Sequence, residues 1–189
     1  MTVSSSFLVR RAVMADADLL ADVGARTFRD AYAVNNDPEL LERHIAQAFT
    51  PQRLAGELAD PRSTFLLGYD TAWSRDRPVG YVRLVNGPAN ACVAGRRPLE
   101  LARIYVERSL MGAGYGAALL RAALDTARRG GFETVWLGVW ERNDRARRFY
   151  ERWGFRAVGS QNFAFGGELQ TDIVMERPAY RPEDEGTHR

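Results

Sequence analysis

The chain has 189 residues, of which 46% are hydrophobic and 26% charged, a composition typical of a globular protein with a sizeable core. Its 26 basic and 24 acidic side chains give a formal net charge of +2, which is too balanced to require a nucleic-acid partner. The single cysteine, Cys92, excludes an intrachain disulfide and is typical of a reducing cytoplasm, and no apolar run is long enough to span a bilayer. We therefore expect a cytoplasmic protein with no membrane segment, organised as one domain over residues 1–177 with a polar, flexible tail over 178–189.

Apolar periodicity and the positions of Pro and Gly predict a succession of strands and helices. In chain order, the predicted strands cover residues 7–13, 64–69, 79–85, 100–106, 134–139, 155–159 and 170–175. The first predicted helix begins after Asp16 or Asp18, and the next two cover 39–48 and 52–59. The last two run from Ala117 to Gly130 and from Asn143 or Asp144 to Gly154. The helix that begins at Ala117 connects two strands, and a right-handed crossover would make these strands parallel. The pattern therefore predicts a mixed α/β sheet of about seven strands, only partly parallel.

A glycine-rich stretch between a predicted strand and a predicted helix is the clearest candidate for a binding site. Gly112, Gly114 and Gly116 precede the helix, whose first N–H groups lack an intrahelical acceptor and carry partial positive charge. Glycines also let an anion approach the backbone closely. We predict a pyrophosphate cradle over residues 111–117, and a tight turn without a ligand is the alternative. A P-loop does not fit, because no Lys-Ser/Thr pair follows, and the remaining chain is too short for a dinucleotide-binding sheet.

Two motifs follow each other in this part of the chain. One is the loop Met111-Gly112-Ala113-Gly114-Tyr115-Gly116, and the other is an apolar strand followed by Asn143, Ala146, Phe149-Tyr150 and Gly154-Phe155. In this order they resemble the motifs of the GNAT superfamily of acyl-CoA-dependent N-acetyltransferases. The resemblance covers residues 100–177. It implies a mostly antiparallel sheet of about seven strands flanked by helices, with a parallel, splayed central strand pair. It also implies acetyl-CoA as the co-substrate. The sequence shows no spacing of residues typical of metal ligands, so no metal is expected.

The resemblance assigns roles to individual residues, each with a structural alternative. Tyr150 would act as the general acid toward the CoA sulfur or else be a core tyrosine, and Glu100 would act as the general base or else be a carboxylate at a strand edge. Asn143 would bind the pantetheine arm, cap a helix, or do both. The residues implied to bind acetyl-CoA are Ile104, Tyr105, Val106, Met111, Gly112, Ala113, Gly114, Tyr115, Gly116, Ala117, Asn143 and Tyr150.

The acceptor is expected to be a small-molecule amine, bound between the first helices and the late strands. The candidates to line its site are Phe28, Tyr32, Glu141 and Asp172, since carboxylates favour a cationic amine. The C-terminal third resembles bacterial spermine/spermidine N-acetyltransferases, although Gln161 and Gly167 replace a His and an acid of that branch. The alternatives for the acceptor are therefore a polyamine, another amine and a protein amine, and the alternative to an enzyme is a non-catalytic CoA-binding module. Pairing of the late strands of two copies would make a homodimer.

Overall fold

The structure is a computed structural model that describes residues 7–33, 37–72, 76–165 and 168–182. Gly166, Gly167 and residues 183–189 of the predicted tail lie outside the described residues. The strands are β1 (Phe7–Arg11), β2 (Ser63–Asp70), β3 (Gly80–Val85), β4 (Pro98–Val106), β5 (Thr134–Trp140), β6 (Arg156–Phe165) and β7 (Glu168–Pro178). The helices are α1 (Ala17–Tyr32), α2 (Pro38–Ala48), α3 (Pro51–Ala59), α4 (Tyr115–Arg129) and α5 (Asp144–Arg152).

Proline and a capping side chain start two of the helices. Pro38 opens α2, and the Asp37 carboxylate accepts hydrogen bonds from the N–H groups of the first turn at 2.9 and 3.1 Å. Pro51 opens α3 in the same way, with the Thr50 hydroxyl as the cap. Asp16 precedes α1, but its side chain makes no cap hydrogen bond. That carboxylate instead pairs with the Arg10 guanidinium and accepts from a backbone N–H before the helix, which draws it away from the helix end.

Within the described residues the strands form one seven-stranded sheet in the order β1-β2-β3-β4-β5-β7-β6. The recorded registers make β1–β2, β5–β7 and β6–β7 antiparallel. The parallel pair is β4–β5, in which Pro98, Leu99 and Glu100 lie opposite Thr134, Val135 and Trp136. The prediction of a mostly antiparallel seven-stranded sheet with a parallel central pair is therefore confirmed.

Contacts among the described residues divide the chain into two compact units. The first unit takes in Met1–Leu84 and Arg103–Ala123, and the second takes in Val85–Ala102 and Leu124–Arg189. Side chains of β2, β3 and the first half of α4 form the core of the first unit, with Phe65, Tyr81 and Leu119 almost fully buried. Side chains of β5 and β7 form the core of the second unit, with Val135, Leu137 and Met175 almost fully buried.

Several elements extend beyond their predicted ends. Helix α4 begins at Tyr115, two residues before the predicted start, and β4 begins at Pro98. Strand β7 continues to Pro178, and the Ala179 N–H donates to the Glu133 carbonyl at 2.8 Å. The first residues of the predicted tail are therefore hydrogen-bonded within the second unit. Among the described helices, none has the length and apolar content needed to cross a membrane.

Candidate functional site

The glycine-rich loop forms a sharp turn at the start of α4 in the first unit. Gly112 and Gly114 have φ angles of +91° and +93°, which side chains other than glycine rarely adopt. The N–H groups of Met111 and Ala113 donate to carbonyls of the preceding turn at 3.2 and 3.3 Å. The first-turn N–H groups of α4, from Tyr115 onward, have no acceptor inside the helix and carry its positive dipole. The space beside Gly112 is open, since a Cβ there would meet nothing within 4 Å. The loop can therefore accept an anion.

Tyr115 fixes the loop to the rest of the first unit. Its hydroxyl donates to Asp70 Oδ2 at 2.5 Å, and its ring lies 4.7 Å from that of Phe7. The side chain is only 7% exposed. The side chain of Tyr115 therefore serves as an anchor, and only its backbone N–H is available to a ligand at the helix start.

Phe28 and Tyr32, two of the predicted acceptor residues, belong to an aromatic cluster in the first unit. Phe28 stacks on Tyr32 with ring centroids 4.4 Å apart and on His44 at 4.9 Å. It also contacts Phe49 and Tyr105, at 5.3 and 5.9 Å. Burial and the nearby Arg103 lower the pKa of His44, which favours its neutral form. The structure thus brings the predicted residue Tyr105 together with both aromatic candidates.

An ion-pair cluster adjoins these rings, with the Arg103 guanidinium 5.6 Å from the centroid of the Phe49 ring. The Glu57 carboxylate pairs with Arg103 at 2.7 Å and with Arg83 at 3.1 Å, and its side chain is 9% exposed. Tyr81 is fully buried in β3, and its hydroxyl has no hydrogen-bond partner among the described residues. Burial raises the pKa values of Tyr81 and Tyr105 above their usual value, so both phenols stay protonated.

Helix α5 carries two of the predicted residues in the second unit. The Asn143 side chain accepts from the Ala146 N–H at 3.1 Å, so the expected N-cap is present. Tyr150 is 8% exposed, and its ring makes edge contacts with Phe149 at 5.3 Å and Phe155 at 5.5 Å. The ring of Tyr150 is therefore held between two other aromatic rings.

The sheet of the second unit places the predicted residues Glu100 and Asp172 on one face, together with Glu176. Glu100 of β4 lies opposite Trp136 in β5, and Asp172 of β7 lies opposite Trp140 in the same strand. Trp136 and Trp140 are four residues apart, so their side chains point to the same side of β5. Glu100 and Asp172 therefore share a face, whereas Glu141, which follows β5, is exposed.

A hydrogen-bonded series of polar groups leads to Asp172, and we call it the amide relay. The Cys92 N–H donates to Asn90 Oδ1 at 3.0 Å, and Asn90 Nδ2 donates to Gln161 Oε1 at 2.9 Å. The Gln161 amide in turn donates to the Asp172 carboxylate. The Cys92 thiol also donates to Asn90 Oδ1, at 2.8 Å. Burial raises the pKa of Asp172 above its ordinary value, and the hydrogen bond from Gln161 opposes this rise.

Two glycines leave room for the amide relay. A Cβ at Gly138 of β5 would lie 2.7 Å from Gln161 Nε2 and 3.0 Å from Asp172 Oδ2. A Cβ at Gly159 of β6 would lie 2.5 Å from the Cys92 sulfur. Asp172 was predicted from the sequence, whereas Asn90 and Gln161 were missed as its partners. An available sign was Gly138 itself, because glycine inside a strand often marks the close approach of another group.

The predicted residues thus fall into two groups. The first unit holds the glycine-rich loop, residues 104–106 and the two aromatic candidates, and the second unit holds Glu100, Glu141, Asn143, Tyr150 and Asp172. In the described part of the chain, no group of three or more His, Cys, Asp or Glu side chains is arranged to hold a metal ion.

Comparisons with known proteins agree with this architecture. The model of the acetyltransferase (GNAT) family matches residues 26–155. An uncharacterised N-acetyltransferase of Mycobacterium tuberculosis (strain ATCC 25618 / H37Rv) is 38% identical over 164 residues, which cover 87% of this chain and 98% of that protein. Another, from Lactobacillus delbrueckii subsp. lactis, is 30% identical over 156 residues, which cover 82% and 87% of the two chains.

Two solved structures share the fold and contain a coenzyme. The PaiA N-acetyltransferase from Thermoplasma acidophilum, in complex with coenzyme A, matches with a TM-score of 0.71 at 20% identity and covers 92% of this chain and 99% of its own. YncA from Salmonella typhimurium, a putative acetyltransferase with acetyl-CoA, matches with a TM-score of 0.61 at 19% identity and covers 94% and 96%.

Proposed function

The chain belongs to the GNAT acetyltransferase family, and from this membership we propose that it transfers an acetyl group from acetyl-CoA to a cationic primary amine. The observation that carries the proposal is the loop at the start of α4. Its two positive-φ glycines, the open space beside Gly112 and the first-turn N–H groups form a cradle suited to a pyrophosphate. Acetyl-CoA would supply the pyrophosphate and the activated acetyl group.

The resemblance to the family suggests roles toward acetyl-CoA for three further residues, and we include these roles in the proposal. Tyr150 would donate a proton to the CoA sulfur, since a thiol pKa of about 8.5 makes a protonated leaving group favourable near neutral pH. The Val106 N–H would polarise the thioester carbonyl. The Asn143 side-chain oxygen accepts from a backbone N–H, and its amide NH₂ group would bind the pantetheine arm.

The acceptor is proposed to be a small amine that is positively charged before reaction. An alkylamine has a pKa near ~10, so most of it is protonated at neutral pH. Glu100 and Asp172 share one face of the sheet, and two carboxylates there favour such a cation. A polyamine is one member of this class, and we test it beside monoamines and a peptide amine.

The test is a calorimetric titration with acetyl-CoA, followed by measurement of thiol release after addition of spermidine, a monoamine or a lysine peptide. Saturable binding and amine-dependent release are expected. Thiol release with the lysine peptide but not with the small amines would indicate a protein acetyltransferase. Binding of acetyl-CoA without thiol release would indicate a non-catalytic CoA-binding module. Absence of binding would contradict the proposed co-substrate.

Tyr150→Phe tests the proposed general acid. Because the ring contacts with Phe149 and Phe155 stay in place, we expect acetyl-CoA affinity to change little. Loss of the hydroxyl should lower kcat by about 10²-fold. Phe149→Leu is the matched control, since it changes the aromatic packing without removing a hydroxyl. Wild-type turnover in Tyr150→Phe would reject the assignment.

A further inference from the structure

We propose that Asp172 takes the proton from the acceptor ammonium, and that Cys92, Asn90 and Gln161 position its carboxylate. The inference rests on the proposed acetyl transfer to an amine and adds the identity of the proton acceptor. In this step the N–H bond of the ammonium breaks and an O–H bond forms on Asp172. The products are the neutral amine and the carboxylic acid, which returns its proton to water.

The direction of every hydrogen bond in the amide relay is fixed by the backbone. The Cys92 N–H can only donate, so the Asn90 atom that faces it must be the oxygen. The Asn90 NH₂ group then faces Gln161 and must meet its oxygen, at 2.9 Å. The Gln161 NH₂ group is therefore directed at Asp172. A donor in this position holds the carboxylate in one orientation and favours its ionised form, which is the form that accepts a proton.

The sheet is built around this arrangement. Gly138 leaves the volume in which the Gln161 and Asp172 polar atoms lie, and Gly159 does the same for the Cys92 side chain. A β-branched residue is the usual choice inside a buried strand, so glycine at position 138 costs β-sheet propensity. The space beside Gly138 is occupied by the Asp172 carboxylate and by the Gln161 amide that donates to it.

Asp172 lies nearer than Glu100 to the start of helix α5. Asp172 lies opposite Trp140, the last residue of β5, three residues before the Asn143 cap of the helix that carries Tyr150. Glu100 lies opposite Trp136, four residues earlier, or about 13 Å along the strand. Along β5, Asp172 is therefore closer than Glu100 to the start of the helix that carries Tyr150.

The elements that flank Asp172 carry further polar and titratable side chains. Gln161 is neutral, and the thiol of Cys92 is directed at Asn90. Along the shared face, Glu176 of β7 pairs with Arg156 of β6 at 3.0 Å. Glu100 on β4 lies on the same face, and Glu141, which follows β5, is exposed. Burial raises the pKa of Asp172, which improves its ability to accept a proton near neutral pH.

The experiment compares pH–rate profiles of wild type, Asp172→Asn and Glu100→Gln, with the amine that gives the greatest thiol release. We expect Asp172→Asn to lower kcat by about 10²-fold or more and to remove the acid limb of the profile. Acetyl-CoA affinity, measured by calorimetry on the same samples, should stay within about threefold of wild type. Asn162→Ala, an exposed neighbour of Gln161, is the control and should behave as wild type.

Gln161→Met tests the positioning role and does not depend on the stability of Asp172→Asn. Methionine keeps the length of the side chain but cannot donate a hydrogen bond. The bond from Gln161 holds the pKa of Asp172 down, so its loss should raise that pKa and move the acid limb to higher pH. A merely structural role would lower the amount of active protein without shifting the limb.

The possible outcomes distinguish failure of the role proposed for Asp172 from failure of the proposed acetyl transfer. An active wild type with an unchanged acid limb in both Asp172→Asn and Gln161→Met would overturn the inference and leave acetyl transfer intact. Loss of the acid limb in Glu100→Gln alone would transfer the role to Glu100 and also overturn it. Wild-type protein that binds acetyl-CoA but releases no thiol with any of the amines would overturn the proposed function and the inference together.

Discussion

Glu57 is one carboxylate shared by three guanidiniums in the first unit, the exposed Arg53 and two partly buried ones. Its oxygens lie 2.7 Å from Arg103 and 3.1 Å from Arg83, whose side chains are 20% and 17% exposed. Removing a partner from a buried ion pair leaves an uncompensated charge, which costs more than the pair itself contributes. Here two partly buried cations would lose the same partner at once.

We therefore expect Glu57→Gln to lower the free energy of unfolding by about 3 kcal/mol in urea denaturation. Glu39→Gln is the control, because Glu39 pairs with Arg43 on the exposed side of α2. The loss there should be below about 1 kcal/mol. Equal effects of the two substitutions would contradict the importance of burial at Glu57.

At the scale of whole elements, two glycines show how context decides the effect of one methyl group. Gly80 begins β3, and a Cβ there would lie 2.6 Å from the Tyr105 carbonyl oxygen and 3.0 Å from Leu119. Gly56 lies within α3, and a Cβ there would meet nothing within 4 Å. The first contact involves backbone, which cannot move aside cheaply.

We expect Gly80→Ala to destabilise the protein by about 2 kcal/mol, since backbone atoms must shift to admit the methyl group. Gly56→Ala should stabilise it by about 0.5–1 kcal/mol through helix propensity. Thermal unfolding of both variants checks the pair. The same sign in both would show that the contact at Gly80 does not control stability.

The elements that the sequence predicted best are those with local chemical boundaries. Pro38 and Pro51 mark the starts of α2 and α3, and the apolar run of β5 is bounded by the end of α4 and by Asn143. Asp16 precedes α1, but its carboxylate does not cap the helix because it pairs with Arg10, six residues away. Local sequence contains the cap motif but not the competing ion pair.

The amide relay could be predicted only in part. Asp172 was chosen because a carboxylate attracts a cation, which is a property of the single residue. Its partner Asn90 is 71 residues from Gln161 in sequence, and the hydrogen bond between them depends on the path of the loop after β3. Periodicity carries no information on such contacts, although Gly138 indicated that something approaches β5 closely.

At the scale of the whole molecule, binding of acetyl-CoA should stabilise the native state. A ligand present at 100 times its Kd adds about 2.7 kcal/mol by mass action. For a chain of this length, we expect the unfolding temperature to rise by about 5–10 °C in a thermal-shift assay. Acetyl-pantetheine, which lacks the pyrophosphate, is the matched control and should raise it much less. Equal shifts would argue against a pyrophosphate cradle at the start of α4.

The parallel pairing of β4 and β5 followed from a general rule on crossover connections, whereas nothing in the sequence indicated where the chain divides into compact units. The crossover through α4 required β4 and β5 to be parallel, and their register confirms it. Length and composition predicted one domain over residues 1–177, and the contacts divide the chain at Leu84, Ala102 and Ala123. These boundaries fall inside β3, β4 and α4, where no change of composition marks them.

The fixed direction of the amide relay has an evolutionary consequence. Asparagine at position 90 and glutamine at position 161 each present an oxygen to the preceding donor and an NH₂ group to the next acceptor. An acidic residue at either position would place two acceptors against each other, so a single substitution of this kind should disrupt the relay. Descendant lineages that lose the relay should therefore exchange both residues, and the glycine at 138 should then be released to accept a side chain.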